Sequence, residues 1–399
     1  MSGIELHRLL SEAISGNATA IRVTTRLQPT GGQGDKVFPP TYPTDDNEIV
    51  YATEERLIDG ERVRCVLLDS VQSQANRMES ALQEAIDAGT LTLPLIETMI
   101  KGYGRVTVLQ APHRLYDSIL RDSELDGVRF WHSELGHRLM AARLQSATAL
   151  YEYCPQMLLF GGWHSQAESG GRGAKIPRAL VSEIIGLNVQ EGIRPASRVD
   201  PLGVGLDAGP VYRAADANRQ WTLEPEAARK NEKGEAERYG EGKPSNIGHG
   251  NIKPSLTLGG VTLAEARQVA VLSLPALRRL HFPDPAGRTD SARDQAGRTV
   301  VAALALCALA LQIEQGFDLR SRCLLVPVGL PRFELLGRTL EEVQTLPVDA
   351  ALARETLLAA VEAAQAQDLR FVTEPARLQA SADLNQLVQR SLASHAAAE

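Results

Sequence analysis

The sequence predicts an α+β fold in which helices cover one face of a sheet. Strand-like segments alternate with helical segments along the 399 residues. The first of these strands alternates apolar and polar side chains, as a half-buried strand does. A later apolar run, 300–311, reads as a buried helix, because it is shorter than the ~20 residues that span a bilayer. Insertions interrupt the pattern, so the other face of the sheet is expected to stay open.

The first third of the chain supplies the clearest elements. An N-terminal amphipathic helix, rather than a signal peptide, is indicated by apolar residues set among charged ones. The segment 20–28 alternates as a strand, and a second strand at 62–69 runs directly into a helix at 71–88 that Gly89 ends. The apolar face of this helix consists of Val71, Ala75, Met78, Leu82 and Ile86.

The remaining elements are predicted from shorter patterns. Asp349 is the N-cap of an alanine-rich helix that extends to Gln367. The other predicted elements are strands at 105–110, 156–162, 179–185 and 322–328 and helices at 132–151 and 299–315.

We expect a single domain over 1–399, with a helical insertion over about 90–150 and a variable insertion over about 190–255. The second insertion is poor in periodic apolar residues. Its segment 219–241 holds five basic residues against six glutamates, which is typical of a solvated or mobile stretch.

Composition limits the function classes. The net charge of −7 argues against indiscriminate nucleic-acid binding, and the aromatic content of 5% argues against binding by base stacking alone. Arginine supplies 35 of the 42 basic residues, and guanidinium groups suit phosphate. The four cysteines lack CxxC spacing, so no zinc site, disulfide framework or cofactor is predicted.

A glycine-rich segment, 161–175, is the first candidate site. Gly170, Gly171 and Gly173 allow the backbone to present N–H groups, and three cations give the segment 161–179 a net charge of +2. No Ser or Thr follows Lys175, so the segment is not a Walker A motif. It predicts either a clamp for a phosphodiester backbone or an ordinary surface loop.

The start of the helix at 71–88 is the second candidate. Its polar residues, which include Asn76 and Arg77, are placed with Glu79 on the side away from the apolar face. Amides and an arginine at a helix N-terminus suit phosphate and sugar contacts, although a solvated face has the same composition. Arg278 and Arg279 allow the same two interpretations.

No catalytic residue is predicted. Ser70 occupies a strand-to-helix turn, but it lacks the flanking glycines of a hydrolase nucleophile. No carboxylate cluster suits a two-metal nuclease, so no metal site is predicted either.

Five longer segments resemble a known family. They are 26–43, 66–82, 170–186, 256–282 and 298–328, and they are spread over most of the chain in the family's order. They resemble the CRISPR-associated RAMP-superfamily backbone subunit of type I-G, formerly called I-U.

The resemblance implies a modified RRM-like (ferredoxin-like) palm with inserted finger and thumb elements. It implies a cytoplasmic, non-enzymatic protein whose copies stack head-to-tail along a guide (CRISPR) RNA and present it to target DNA. Further implied partners are a guide-end processing subunit, a large subunit and a recruited helicase-nuclease, with no membrane. The predicted RNA-binding residues are Arg26, Lys36, Gln72, Ser73, Asn76, Arg77, Arg172, Lys175, Arg178, Lys253, Arg278 and Arg279.

Two alternatives stay open. Related RAMP proteins that cleave target RNA carry an aspartate in a glycine-rich loop after the first strand, and Asp35 is similarly placed. A phosphometabolite-binding enzyme that uses the segment 161–175 is the other alternative.

Overall fold

Two compact units make up the described chain, which comprises residues 1–46, 48–164, 175–205 and 208–396 of a computed structural model. The first unit contains residues 1–189 and 263–389, and the second contains residues 190–262 and those from 390 onward. The second unit therefore begins where the sequence places its variable insertion.

The described helices and strands are distributed over both units. The helices are α1 (Gly3–Ser15), α2 (Val71–Asp87), α3 (Ser118–Arg121), α4 (Glu134–Met140), α5 (Thr148–Tyr153), α6 (Met157–Phe160), α7 (Leu274–Arg278), α8 (Ser291–Glu314), α9 (Ala350–Gln365) and α10 (Ala382–Ala396). The strands are β1 (Ala20–Pro29), β2 (Thr41–Pro43), β3 (Ile49–Tyr51), β4 (Thr53–Ile58), β5 (Glu61–Asp69), β6 (Ile96–Ile100), β7 (Gly104–Thr107), β8 (Ser123–Leu125), β9 (Val128–Arg129), β10 (Gly162–Trp163), β11 (Lys175–Ile176), β12 (Leu180–Leu187), β13 (Gln190–Arg198), β14 (Tyr212–Arg213), β15 (Trp221–Thr222), β16 (Ile252–Thr262), β17 (Glu265–Ser273), β18 (Phe317–Arg320), β19 (Cys323–Pro327), β20 (Arg332–Leu336), β21 (Val343–Leu346) and β22 (Ala376–Ala380).

A large antiparallel sheet, curled into a half-barrel, organises the first unit. Its main order is β18-β19-β1-β17-β12-β5-β4, and β20 pairs with both β1 and β21. Strand β1 lies inside this sheet, and its alternation buries every second side chain on one face. Val23 lies opposite Ala270 of β17, and Leu27 lies opposite Ala266. The mixed helix-and-strand architecture that the sequence predicts is confirmed.

Helices α1, α2, α8 and α9 pack together on one face of this sheet, with α8 at the centre. By length and composition alone α8 could cross a membrane, but 83% of its apolar window is buried inside the protein, as in a core helix. Asp349 caps α9 as predicted, accepting a hydrogen bond from the Leu352 N–H at 2.8 Å.

A buried polar network joins these helices to the sheet. The Gln268 amide of β17 accepts a hydrogen bond from Thr25 of β1 at 3.0 Å and donates to Gln312 of α8 at 2.8 Å. It also donates to Gln74 of α2 at 2.9 Å, and Gln74 in turn accepts from Ser182 of β12. All five side chains are buried, so each depends on the others for its hydrogen bonds.

A second sheet, in the order β7-β6-β22-β8-β9, is formed mainly by the segment 96–129. Strand β22 comes from near the C-terminus and pairs in parallel with β6, so that Leu378 lies opposite Thr98. The segment 90–150 is therefore helical only in part, which corrects the sequence prediction of a helical insertion.

The second unit is built around a two-stranded antiparallel ribbon of β13 and β16. The residues between them form the short β14–β15 pair and two 3₁₀ turns, Pro225–Ala227 and Pro244–Ile247. Main-chain hydrogen bonds connect this region, such as the one from the Arg213 N–H to the Glu237 carbonyl at 2.9 Å.

Most of the predicted elements match described helices and strands, and two predicted segments do not. The strands at 20–28, 62–69 and 179–185 and the helices at 71–88 and 299–315 are confirmed. The strand predicted at 156–162 is wrong, because Met157–Phe160 is a buried helical turn, and four apolar residues fit either structure. The helix predicted at 132–151 is two helices, α4 and α5, separated by a turn.

The buried network makes a testable contribution to stability. Gln268→Leu leaves the Thr25 hydroxyl and the Gln312 carbonyl oxygen without their partner, so we expect a loss of about 3 kcal/mol in the free energy of unfolding. Adding Thr25→Val and Gln312→Leu should recover part of the loss, because both partners then become apolar. Urea denaturation of the single variant Gln268→Leu and of the triple variant measures both effects.

Gln28→Leu, on the exposed side of β1, is the matched control and should change stability by about 0.5 kcal/mol or less. Equal losses for Gln28→Leu and Gln268→Leu would show that the network contributes nothing specific.

Candidate nucleic-acid interface

A cleft of about 530 Å³ lies at the two described ends of the glycine-rich segment. It brings together parts of the chain that are far apart in sequence: the first turn of α2, the turn before Tyr116, the end of α6, and strands β10 and β11. The residues that line it are Gln72, Pro112, His113, Arg114, Phe160, Gly161, Gly162, Trp163, Lys175, Ile176, Pro177 and Arg178. Three of the predicted RNA-binding residues, Gln72, Lys175 and Arg178, therefore share one cleft.

Gly161 shapes the floor of this cleft. Its φ is +69°, and a Cβ there would lie 2.6 Å from the Ile176 carbonyl oxygen. The close approach ends α6 and places β10 against β11, with Gly162 opposite Ile176. Only glycine combines this backbone conformation with this contact.

A buried ion pair forms one wall. Arg114 donates to both carboxylate oxygens of Glu79, at 2.6 and 2.8 Å, and to the Gly161 carbonyl at 3.4 Å. Both side chains are at least nine-tenths buried. Burial raises the pKa of Glu79, while the hydrogen bonds from Arg114 oppose that change. The fork geometry holds the Arg114 guanidinium in a fixed position at the cleft.

Arg178 adds a second guanidinium beside this pair. Partial burial lowers its pKa, and the positive charge of Arg114 lowers it further. Its Nη1 atom is shielded from solvent and has no hydrogen-bond partner in the described parts of the chain. A buried donor without a partner is costly, and an anion in the cleft would satisfy it.

Counted over the described residues, the cleft therefore has an excess of positive charge. Arg114, Arg178 and Lys175 supply three cations, and Glu79 supplies one carboxylate. Lys175 is exposed and has no ion pair with the described residues. This arrangement suits a phosphate group, which presents several acceptor oxygens and negative charge.

Other predicted arginines have their guanidinium groups bound within the protein. Arg77 donates to the Asp69 carboxylate at 2.9 Å and to the Asp318 carbonyl at 3.1 Å. Arg278 donates to the carbonyls at the end of α1, including that of Ile14 at 2.8 Å. Arg26 lies on the helix-free face of the large sheet and pairs with Glu265 at 2.8 Å.

The rest of the predicted set is dispersed. Lys253 lies in the second unit, exposed on β16. Arg172, with the glycines around it, lies outside the described residues. On the first unit, Asn76 and Arg279 are exposed, and Lys36 and Ser73 are half-buried. For these residues the RNA-binding role stays a prediction.

The helix-free face of the large sheet carries its charges in compensated rows. Glu334 bridges Arg22 and Arg332 at 2.9 and 2.6 Å. Glu265 bridges Arg26 and Arg267 in the same way, at 2.8 and 2.9 Å. These four arginines therefore already have carboxylate partners.

Glu79 is buried in α2, so the prediction that it lies on the solvated face is wrong. Glu79 follows Ala75 by four residues and precedes Leu82 by three, so helical periodicity puts it on the buried stripe. That spacing could have revealed a buried carboxylate in need of a cation. Arg114 and Trp163 are also missed. The position of Trp163 inside the glycine-rich segment 161–175, directly after Gly161 and Gly162, is a signal that could have identified it.

Among the residues that the structure describes, no group of three His, Cys, Asp or Glu side chains is arranged to hold a metal ion.

Residues 21–191 match the family described as CRISPR-associated protein GSU0053 (Cas_GSU0053). The matched region is less than half of the chain. It includes β1, α2, β12 and all the residues that line the cleft. No curated protein matches the sequence. The family match indicates a CRISPR-associated protein with a role in CRISPR defence.

The two guanidinium groups of the cleft should respond differently to mutation. Arg114→Gln leaves Glu79 buried without a cation, so we expect a loss of about 3 kcal/mol in the free energy of unfolding. Arg178→Gln removes a partly desolvated charge that has no described partner, so stability should stay the same or rise. Chemical denaturation of both variants in phosphate-free buffer is the measurement. A loss for Arg178→Gln as large as that for Arg114→Gln would mean that Arg178 is part of the fold and not of a binding site.

Proposed function

We propose that this CRISPR-associated chain is a guide-RNA-binding backbone subunit of a type I surveillance complex, of subtype I-G. It polymerises head-to-tail along the guide and presents it for pairing with target DNA. The observation that carries the proposal is the cationic cleft, in which Arg178 has a shielded donor without a partner among the residues that the structure describes. The family match over residues 21–191, a range that contains every residue lining the cleft, supports a role in CRISPR defence.

The fold supports an RRM-like palm. Six core elements follow one another as strand, helix, strand, strand, helix, strand: β1, α2, β12, β17, α8 and β19. Their strands lie in the order β19-β1-β17-β12, which is the order of a ferredoxin-like sheet. In this interpretation the segment 90–150 supplies finger elements, and the second unit, inserted between β12 and β17, supplies a thumb.

The distribution of charge supports binding along the RNA backbone. Arg26 on the sheet and Arg278 at the end of α1 donate to acceptors of the protein itself. In the cleft, the described cations outnumber the one carboxylate, that of Glu79. Contacts to phosphates hold a strand without reading its sequence, and they leave the bases available for pairing. A localised cleft on a chain with a net charge of −7 also limits binding to unrelated nucleic acids.

The other proposed partners follow from the same role. They are target DNA paired to the guide, further copies of the chain, a guide-end processing subunit, a large subunit and a recruited helicase-nuclease, all in the cytoplasm. Head-to-tail contacts that do not close into a ring produce a helical filament. In such a filament, each copy can bind the next segment of a linear guide.

The alternative function is a backbone subunit that cleaves bound target RNA with Asp35 as the catalytic residue. In the structure the Asp35 carboxylate accepts a hydrogen bond from the Lys36 N–H at 2.9 Å and packs against Gly31, as in a turn. These contacts give Asp35 a role in shaping the loop after β1. Metal-dependent cleavage of bound RNA that Asp35→Ala abolishes would favour the alternative.

The phosphate contacts should appear in the salt dependence of RNA binding. Each phosphate contact to a single strand contributes about 0.7 to the slope of log affinity against log salt. Arg178→Gln and Lys175→Gln should each lower the slope by about this amount per protomer, equally for two guides of unrelated sequence. Fluorescence anisotropy over a series of salt concentrations measures the slopes.

Lys233→Gln, an exposed charge removal in the segment 219–241, is the control and should leave the slope unchanged. Unchanged slopes for both cleft variants would contradict RNA binding at this cleft. Tight binding of a mononucleotide by an RNA-free monomer would instead favour the phosphometabolite enzyme.

A further inference from the structure

Trp163 and Lys175 are direct cross-strand neighbours at the mouth of the cleft. They lie opposite each other in the β10–β11 pair, so their side chains leave the same face of this ribbon. Cβ atoms of such a pair are about 5 Å apart. An indole ring and an ammonium group are thereby presented side by side, with Arg178 lining the same cleft.

The exposure of Trp163 is unusual for so large an apolar ring. Its relative exposure is 63%, and it makes no ring contact within the described part of the chain. The neighbouring aromatic residues are packed: His164 stacks on Tyr116 with centroids 5.2 Å apart, and Phe160 is fully buried. These contacts fix the backbone on either side of Trp163 and leave its ring facing solvent.

We propose that Trp163, Lys175 and Arg178 form a subsite for one nucleotide of single-stranded RNA. The base stacks on the Trp163 indole, and the adjoining phosphate binds the two cations. The proposal rests on the proposed function and adds a stacking contact to it. Stacking on an aromatic ring tolerates every base, with purines offering the larger π surface, so this contact remains compatible with guides of any sequence.

The charges beside Trp163 favour a nucleotide over a protein partner. An apolar protein surface would have to desolvate Lys175 and Arg178 in order to cover the indole. A nucleotide presents a flat apolar base and an anionic phosphate within one unit, which matches a ring with two cations next to it.

The experiment compares two RNA probes of the same length, about eight nucleotides, the scale of a single-strand-binding site. One probe carries adenine at every position, and the other has the same sugar-phosphate backbone without bases. Trp163→Ala should weaken binding of the adenine probe at least about fivefold, the lower end of the loss for one base stack. It should leave binding of the abasic probe and the salt slope unchanged.

Trp163→Phe is the matched control, because it keeps an aromatic surface and should bind the adenine probe within about twofold of wild type. Arg178→Gln should weaken binding of both probes and lower the salt slope for both. Unchanged adenine binding in Trp163→Ala, or equal losses for both probes, would overturn the stacking subsite while the effect of Arg178→Gln still supports RNA binding. If Arg178→Gln changes neither probe, the proposed function fails at this cleft instead.

Discussion

The arrangement of the first unit depends on one buried chain of hydrogen bonds. Gln268 connects β1, α2 and α8 through Thr25, Gln74 and Gln312. Gln74 continues the chain to the buried Asp69 carboxylate at 2.6 Å. A buried amide requires its hydrogen-bond partners at fixed distances and directions, so the network sets the position of α2 on the sheet. Apolar packing alone would define that position less closely. The same helix carries Gln72 and Glu79 to the cleft, and the network therefore also positions one wall of the site.

Charge compensation distinguishes the cleft from the face of the large sheet that carries Arg26. On the open face, Glu265 and Glu334 each hold two arginines. In the cleft, Glu79 is already bound by two nitrogens of Arg114. Arg178 therefore has a second positive charge as its neighbour, and the described residues offer it no carboxylate of its own. An anionic ligand would supply the negative charge and the hydrogen-bond acceptor that the described residues do not offer to Arg178. The proposed RNA binding by a chain with a net charge of −7 depends on this contrast.

The sequence predicts the central elements well, because alternation in β1 and the apolar stripe of α2 reflect burial directly. It fails for Met157–Phe160, since a short apolar run carries no period. Within the site, a glycine-rich segment with nearby cations identifies Lys175 and Arg178, and the structure places both with Gln72 in one cleft. The pairing of Glu79 with Arg114 spans 35 positions and depends on tertiary packing, which local pattern cannot supply. The same limit applies to Arg77 and Arg278, whose guanidinium groups bind backbone carbonyls distant in sequence.

The central claim is that copies of this chain hold one guide RNA at regular intervals. Native mass spectrometry of the protein co-expressed with a guide, followed by nuclease footprinting of the purified complex, tests it most directly. The account predicts an assembly of several protomers on one RNA, with protection that repeats at a constant spacing along the guide. A monomer that retains no RNA, or an RNA protected at a single position only, would contradict the account.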